Sequence, residues 1–469
     1  MCFCLFLLIV FVVLTQLSSQ AQAEISLAGD QLCYDILKPW IKNSRVRVDC
    51  ALVETTKGLK GDRVISAGLE ATNMNLNFYC TADKAQCNKV QAAFDTAFKL
   101  ISNVVVLKEP LTVNASFVHF CEEYGECNAQ YRILGRPSNS TGDFECRDSQ
   151  VQTGSAGPAR TIVLTDEDGR KRSFPQALLK QKGLTKHPKF SPYDIVATFN
   201  ADVDFWFEGD GMIKSTQSDF LFVIIHELIH GLGFSSAWMD YINDMPQYLT
   251  PNILISNSSD LYVFAGFVEN VFDKFLVEYP SLRPLSEVTD VLNTFASGPG
   301  TVFHHEEEFS KTFSSSTQSK EATRMLHLST TGKTLAFFPK NTTGSNTPII
   351  LETSLNPYVQ GSSISHFDFK TYSNTADFLM RYMEDRGVSL RTSIERTGTY
   401  IGGPVGPQLG LVLQSLGYSI NPNPKPISEI LPKIGNSDTM HSNPATTTKG
   451  GQVRWLLLMV LITLWANSR

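Results

Sequence analysis

Residues 220–231 read FLFVIIHELIHG, an apolar run broken only by His226, Glu227, His230 and the closing glycine. Such a helix has almost no polar face, so it serves as a rigid, buried support and the fold must enclose it. Residues four apart leave one face of a helix a turn apart, so His226 and His230 can both reach a single metal ion at ~2.0–2.1 Å. Glu227 projects beside that ion, where it can accept a proton from water. Ser218 is the expected N-cap, with Asp219 in the first turn, and the helix is expected to stop at Gly231 or Gly233.

Ahead of this helix the pattern is mixed. Residues 74–80 read as a strand, and 88–103 as a helix burying Val90, Ala93, Phe94, Ala97, Phe98 and Ile101. Strands are expected in 104–109 and 111–120, in 161–172 with a turn at Asp168-Gly169, and in 194–208. Arg170-Lys171-Arg172 reads as a charged hairpin tip, and Asp166-Glu167-Asp168-Gly169 gives only a weak hint of a calcium loop. Beyond the helix, 240–360 is rich in Ser, Thr and Asn with few strong patterns, and 406–420 reads as a helix stopped by Gly417. The fold class is α+β. An N-terminal lobe (24–234) carries a mixed twisted sheet and the histidine helix; a C-terminal lobe (235–425) is irregular and helical, with a long insertion.

The ends of the 469-residue chain place it outside the cell. Residues 2–15 are apolar and Ala21-Gln22-Ala23 suits signal cleavage, which predicts a signal peptide over 1–23. Residues 426–443 read as a Pro/Ser/Thr-rich stalk. The polar spacer and the short apolar tail at 455–465 then match a glycosylphosphatidylinositol (GPI) anchor signal over 444–469, with attachment at Ser442 or Asn443. After the leader cysteines, seven remain, all between Cys33 and Cys146, enough for up to three disulfides with one thiol left over. Sequons at Asn114, Asn139, Asn257 and Asn341 are expected on exposed loops or turns. A net charge of −6 gives no reason to expect nucleic acid as a partner.

The residues from His226 through Gly233, Phe234 and Ser235 resemble the leishmanolysin branch of the metzincin zinc proteases. Most metzincins place the third ligand three residues beyond that glycine, where this chain has Ser236. The leishmanolysin branch lacks it too and supplies a distant histidine. His366, in Ile364-Ser365-His366-Phe367-Asp368, resembles that segment, and Met380 after Asp377-Phe378-Leu379 resembles the methionine turn flooring the zinc, with Met383 close by. His304-His305, beside Glu306-Glu307-Glu308, is the competing pair and also reads as a charged surface loop. Asp368 is a possible orienting carboxylate or a solvent-facing one, and Tyr382 an oxyanion donor or a packing aromatic. The resemblance rests on 218–236 and 362–383, and the interval from His230 to His366 is longer than usual in that branch.

The resemblance implies one catalytic Zn2+ held by His226, His230 and His366, with Glu227 as general base. The expected activity is hydrolysis of extracellular polypeptides by an enzyme tethered to the outer leaflet of the plasma membrane. A substrate strand is expected to add to a sheet edge near 199–207. The alternative is a GPI-anchored adhesion or binding protein with a non-catalytic zinc site; Glu227 distinguishes the two, because a structural site needs no base.

Overall fold

The computed structural model describes residues 32–38, 44–54, 72–123, 152–239, 242, 246–258, 261–340 and 347–431. The signal peptide, Asn139, Asn341, the stalk beyond Leu431, and Ser442 and Asn443 with the anchor signal lie outside these residues. Among the described residues, no helix is long and apolar enough to cross a membrane.

The chain starts earlier than the sequence pattern indicates, with strands Leu32–Ile36 (β1) and Arg45–Val48 (β2) joined by a Cys33–Cys50 disulfide. The predicted strand follows as Met74–Cys80 (β3), then the predicted helix as Lys84–Val104 (α1) and a strand Leu111–Val118 (β4). Asp83 caps α1 by accepting from Gln86 N at 2.9 Å, and Cys80–Cys87 ties the helix to β3. The side chains of the three later cysteines fall outside the description. Strands Gly154–Pro158 (β5), Arg160–Thr165 (β6), Lys171–Pro175 (β7) and Ile195–Asn200 (β8) lead into the histidine helix, Phe220–Gly231 (α2).

Two sheets share these strands. The first runs β3-β4-β8-β5, parallel except for the β8–β5 pair. Strands buried on the helix side alternate with half-buried positions, so Leu111, Val113, Ala115 and Phe117 face inward. There Phe94 of α1 meets Phe199 of β8 edge-on at 5.6 Å, and Phe199 meets Phe220 of α2 at 5.4 Å. Asn114 therefore sits mid-strand, not on the expected loop. Its Oδ1 accepts from Asn77 Nδ2 at 2.7 Å on the face away from these aromatics.

The second sheet crosses the expected lobe boundary. Its order is β9-β10-β7-β6-β1-β2, where β9 (Asn252–Ser258) and β10 (Leu261–Asn270) come from beyond the histidine helix. Asn257 lies in β9. Among its described residues, the segment that lacked a pattern thus carries regular structure, continuing through helices Leu285–Leu292 (α3), Glu306–Ser314 (α4) and Gln318–Ser329 (α5). Its core is aromatic: Phe264, Phe267, Phe295, Phe303, Phe309 and Phe313 are all buried. A β-bulge explains why this was not visible as alternation. Leu254 pairs with Gly266 but Ile255 pairs with Phe264, leaving Ala265 extra, and Gly266 takes φ +119°. That extra residue puts Phe264 and Phe267, three apart, on one face with centroids 5.0 Å apart.

The β6–β7 hairpin turns at Gly169, at φ +81°, as the sequence indicates. Arg172 is not at its tip, however. Its guanidinium is buried and bonds Asp166 and Asp168 (each 2.8 Å) and Glu269 of β10 (3.1 Å). Lys274 adds a bond to Asp166 at 3.0 Å, so the carboxylates that hinted at calcium are committed to cations of the protein. The last helix, Pro407–Leu416 (α6), ends as expected at Gly417 in the left-handed region, φ +117°.

Candidate metal centre

The histidine helix starts one residue later than expected. Asp219 is its N-cap: Oδ1 accepts from Leu221 N (2.9 Å) and Phe222 N (3.4 Å), while Ser218 pairs with Phe205 in a short bridge. Asp219 Oδ2 also accepts from Leu390 N at 2.7 Å, so one side chain caps the helix and ties it to a distant segment. All twelve helix residues are buried.

His226, His230 and His366 converge, and their Nε2 atoms form a triangle with sides of 3.1, 3.2 and 3.2 Å. Each ring's other nitrogen meets a backbone carbonyl: His226 Nδ1 with Leu379 O (2.8 Å), His230 Nδ1 with Phe234 O (2.6 Å), His366 Nδ1 with Ser362 O (2.9 Å). A carbonyl oxygen only accepts, so each Nδ1 carries the hydrogen and each Nε2 presents a lone pair. Three lone pairs then face one another with no proton between them, an arrangement that calls for a cation. A tetrahedral ion at ~2.0–2.1 Å from each nitrogen sets them ~3.3 Å apart, close to the observed spacing. The carbonyl partners are those that orient metal-bound histidines generally. Burial pulls the His226 and His230 rings down to about 3 and about 4, and holds His366 well below the ordinary histidine range. All three rings are therefore neutral at physiological pH, the form in which a histidine can bind a metal.

Glu227 lies beside them, buried, with Oε2 accepting from Ala156 N of β5 at 2.8 Å. Burial raises its carboxyl to about 8, against the lowering effect of that N–H. Ala156 can donate because β5 is a sheet edge. Thr153 O accepts from Asn200 N and Ala159 N donates to Asp194 O just before β8, so by alternation the N–H and C=O of Ala156 point off the sheet. The edge expected near 199–207 is displaced accordingly: β8 lies between β4 and β5, and the open edge beside Glu227 is β5.

The third histidine of the triangle comes from an irregular segment held by its backbone. His366 O accepts from Glu352 N (2.8 Å), Phe367 N donates to Met380 O (2.7 Å) and Asp368 N donates to Ile350 O (3.0 Å). Met380 is fully buried at the end of the turn Phe378–Met380, next to Leu379, whose carbonyl orients His226. Met383, its neighbour in sequence, is half exposed. Asp368 neither orients a histidine nor faces solvent: it is buried and caps the short helix Phe369–Tyr372 through Thr371 N, 2.8 Å. Tyr382 packs on Phe369 with centroids 5.4 Å apart. The competing pair stays outside the site. His304 and His305 are exposed at the start of α4, where His305 Nδ1 accepts from Glu308 N at 3.1 Å.

Two buried acids around the centre were missed in the sequence, Asp273 and Glu352. The available signal was a lone acid within an apolar run, as in Val271-Phe272-Asp273 and Ile349-Ile350-Leu351-Glu352, because such a group needs internal donors when buried.

Among known proteins, the chain is 27% identical over 381 residues to "Uncharacterized protein PB7E8.01" of Schizosaccharomyces pombe, an overlap covering 75% of this chain and 63% of that protein. It therefore spans less than two thirds of that relative's length. No solved structure matches. Residues 50–448, which include the three histidines and Glu227, match the SPBPB7E8-like family, and the chain belongs to that family.

Proposed function

We propose that the chain is a zinc-dependent endopeptidase of leishmanolysin-like design, acting outside the cell from a lipid anchor. The observation that carries this reading is the triangle of unprotonated Nε2 atoms with a buried carboxylate beside it. His226, His230 and His366 would hold a zinc ion, which would supply Lewis-acid chemistry beside Glu227. Glu227 takes a proton from the attacking water and returns it to the leaving nitrogen as the peptide bond breaks. Beta5 offers an extended substrate the backbone groups of an open edge, with the Ala156 N–H already holding Glu227 in place. Met380, buried next to the Leu379 whose carbonyl meets His226, is assigned the role of the turn methionine.

The test compares wild type with Glu227→Ala on casein, with and without a zinc chelator. Activity should fall by about a hundred- to ten-thousand-fold in the variant while zinc stays bound, because the base is not a ligand. Equal activity in the two proteins would sink the peptidase reading; zinc binding with no activity in either would favour the adhesion protein. Release from membranes by a phosphatidylinositol-specific phospholipase checks the anchor at Ser442 or Asn443.

A further inference from the structure

We propose that the segment between the second and third histidines braces the metal centre, with Asp273 as its positioning residue. This rests on the metal-binding reading of the histidines and says what holds them. Asp273 follows β10 and is fully buried. Its Oδ1 accepts from Ser236 Oγ at 2.7 Å, and its Oδ2 from Ala237 N and Asn270 N, each at 2.8 Å. One carboxylate thus joins the end of β10 to the turn by which the chain leaves α2.

That turn serves two ligands. Phe234 O accepts from His230 Nδ1 at 2.6 Å, and Ser236 N donates to Ser365 Oγ at 3.1 Å, one residue before His366. Asn270 Nδ2 adds a bond to Ser235 O at 3.1 Å. An apolar contact runs in parallel: the Phe272 ring packs on Phe234 at 4.9 Å, and Phe234 on Phe367 at 5.2 Å. The brace is anchored at its far side too, through Val271 N to Ser173 O of β7 (3.0 Å) and Phe338 N to Phe275 O (2.7 Å). The insertion therefore fixes the acceptor that orients His230 and the contact that seats the His366 segment. Groups that orient a ligand in this way commonly change metal affinity by ~10–100-fold.

The test measures zinc affinity by competition with a chromophoric chelator, and the visible spectrum of the cobalt-substituted protein, which reports ligand geometry. Asp273→Ala should raise the zinc dissociation constant about 10–100-fold and alter the cobalt bands. Asp273→Asn should remain within about three-fold, because its oxygen can accept both N–H groups while its amide donates to Ser236 Oγ. Ser236→Ala, which keeps the Ala237 and Asn270 bonds, should fall between and carries the test if Asp273→Ala does not fold. Phe309→Leu, in the distant aromatic core, controls for general loss of stability. The brace is overturned if affinity and spectrum are unchanged in both Asp273→Ala and Ser236→Ala, if Asp273→Asn loses as much as Asp273→Ala, or if Phe309→Leu at equal thermal loss weakens zinc as much. A wild-type protein that takes up no zinc or cobalt would instead overturn the metal reading itself, and the brace with it.

Discussion

The two halves of the centre are built on opposite principles. The helix half holds His226 and His230 by its own periodicity, inside an apolar shell of which Phe222, Ile225 and Ile229 are part. The His366 half has no such repeat. It is an irregular run pinned by backbone bonds to 350–352 and to Met380, and by buried carboxylates that accept from main-chain N–H groups. A helix satisfies its own backbone except at its ends, so apolar packing holds most of it once Asp219 caps the start; a buried irregular segment must import acceptors along its length. Polar deletions should therefore damage the second half, and steric changes the first.

The largest effect should come from removing the link between the halves. Total binding energy at zinc sites of ~10–16 kcal/mol is shared among about four ligands, so losing one costs a factor of about a hundred to several hundred in affinity. His366→Ala should lose stoichiometric zinc by elemental analysis and fall to background on casein, whereas His304→Ala and His305→Ala should match wild type. Zinc lost from a His304 variant but kept in His366→Ala would break the comparison at its root.

The same contrast accounts for what could be read in the sequence. His226, Glu227 and His230 were legible because four-residue spacing on a helix is a local rule. His366 was legible only through the likeness of its flanking residues to a known segment, since nothing in the spacing fixes a contact between residues 140 apart in sequence. The cap was misplaced between two competent neighbours, Ser218 and Asp219, and the choice is made by Leu390 N, 171 residues from Asp219. The aromatic core at 264–313 was hidden because the bulge at Ala265 breaks strand alternation. Local rules gave the helix, the β6–β7 turn and the α6 stop; non-local hydrogen bonds decided the rest.

Glu352→Ala sharpens the polar half. Glu352 Oε1 accepts from Ser354 N at 2.8 Å and its Oε2 from Phe369 N at 3.0 Å, on either side of the His366 segment. Deleting the carboxylate removes the acceptor of the half-buried Phe369 N, whereas the exposed Ser354 N turns to water, so a loss of about 1–2 kcal/mol is expected in urea denaturation. Within this comparison, a loss under about 0.5 kcal/mol, no more than a surface substitution costs, would mean the segment is held by apolar packing after all.

Gly231→Ala probes the helix half, where sterics should govern. Alanine is the better helix former by ~1 kcal/mol, so propensity alone predicts a gain. A Cβ on Gly231, however, would lie 2.5 Å from Ile195 Cγ2 of β8, a buried branched side chain in the sheet. Overpacking of this kind costs ~1–3 kcal/mol, which set against the propensity term predicts a net loss of up to about 2 kcal/mol. A higher melting temperature in the variant would show that the helix–sheet contact has room to yield.

The smallest effect tests whether a carboxylate in the polar half is needed as a charge or only as an acceptor. Asp377 Oδ1 alone accepts from Gln408 N (2.8 Å) and Leu409 N (3.0 Å), capping the start of α6. Burial raises this carboxyl to about 6 in spite of those bonds. An acid whose folded value lies above its ordinary 3.8 holds its proton more tightly when folded, so its stabilising contribution is full below about pH 4 and is lost as pH rises through about 6. Asn in its place keeps the accepting oxygen and never ionises. Asp377→Asn should therefore match wild type near pH 4 and exceed it by about 1 kcal/mol at pH 7.5, the shift being partly offset by the attraction of a negative charge for a helix N-terminus. Denaturation curves at the two pH values decide the matter: if wild type is the more stable at pH 7.5, the helix terminus favours the charge by more than burial penalises it, and carboxylates are there for their charge.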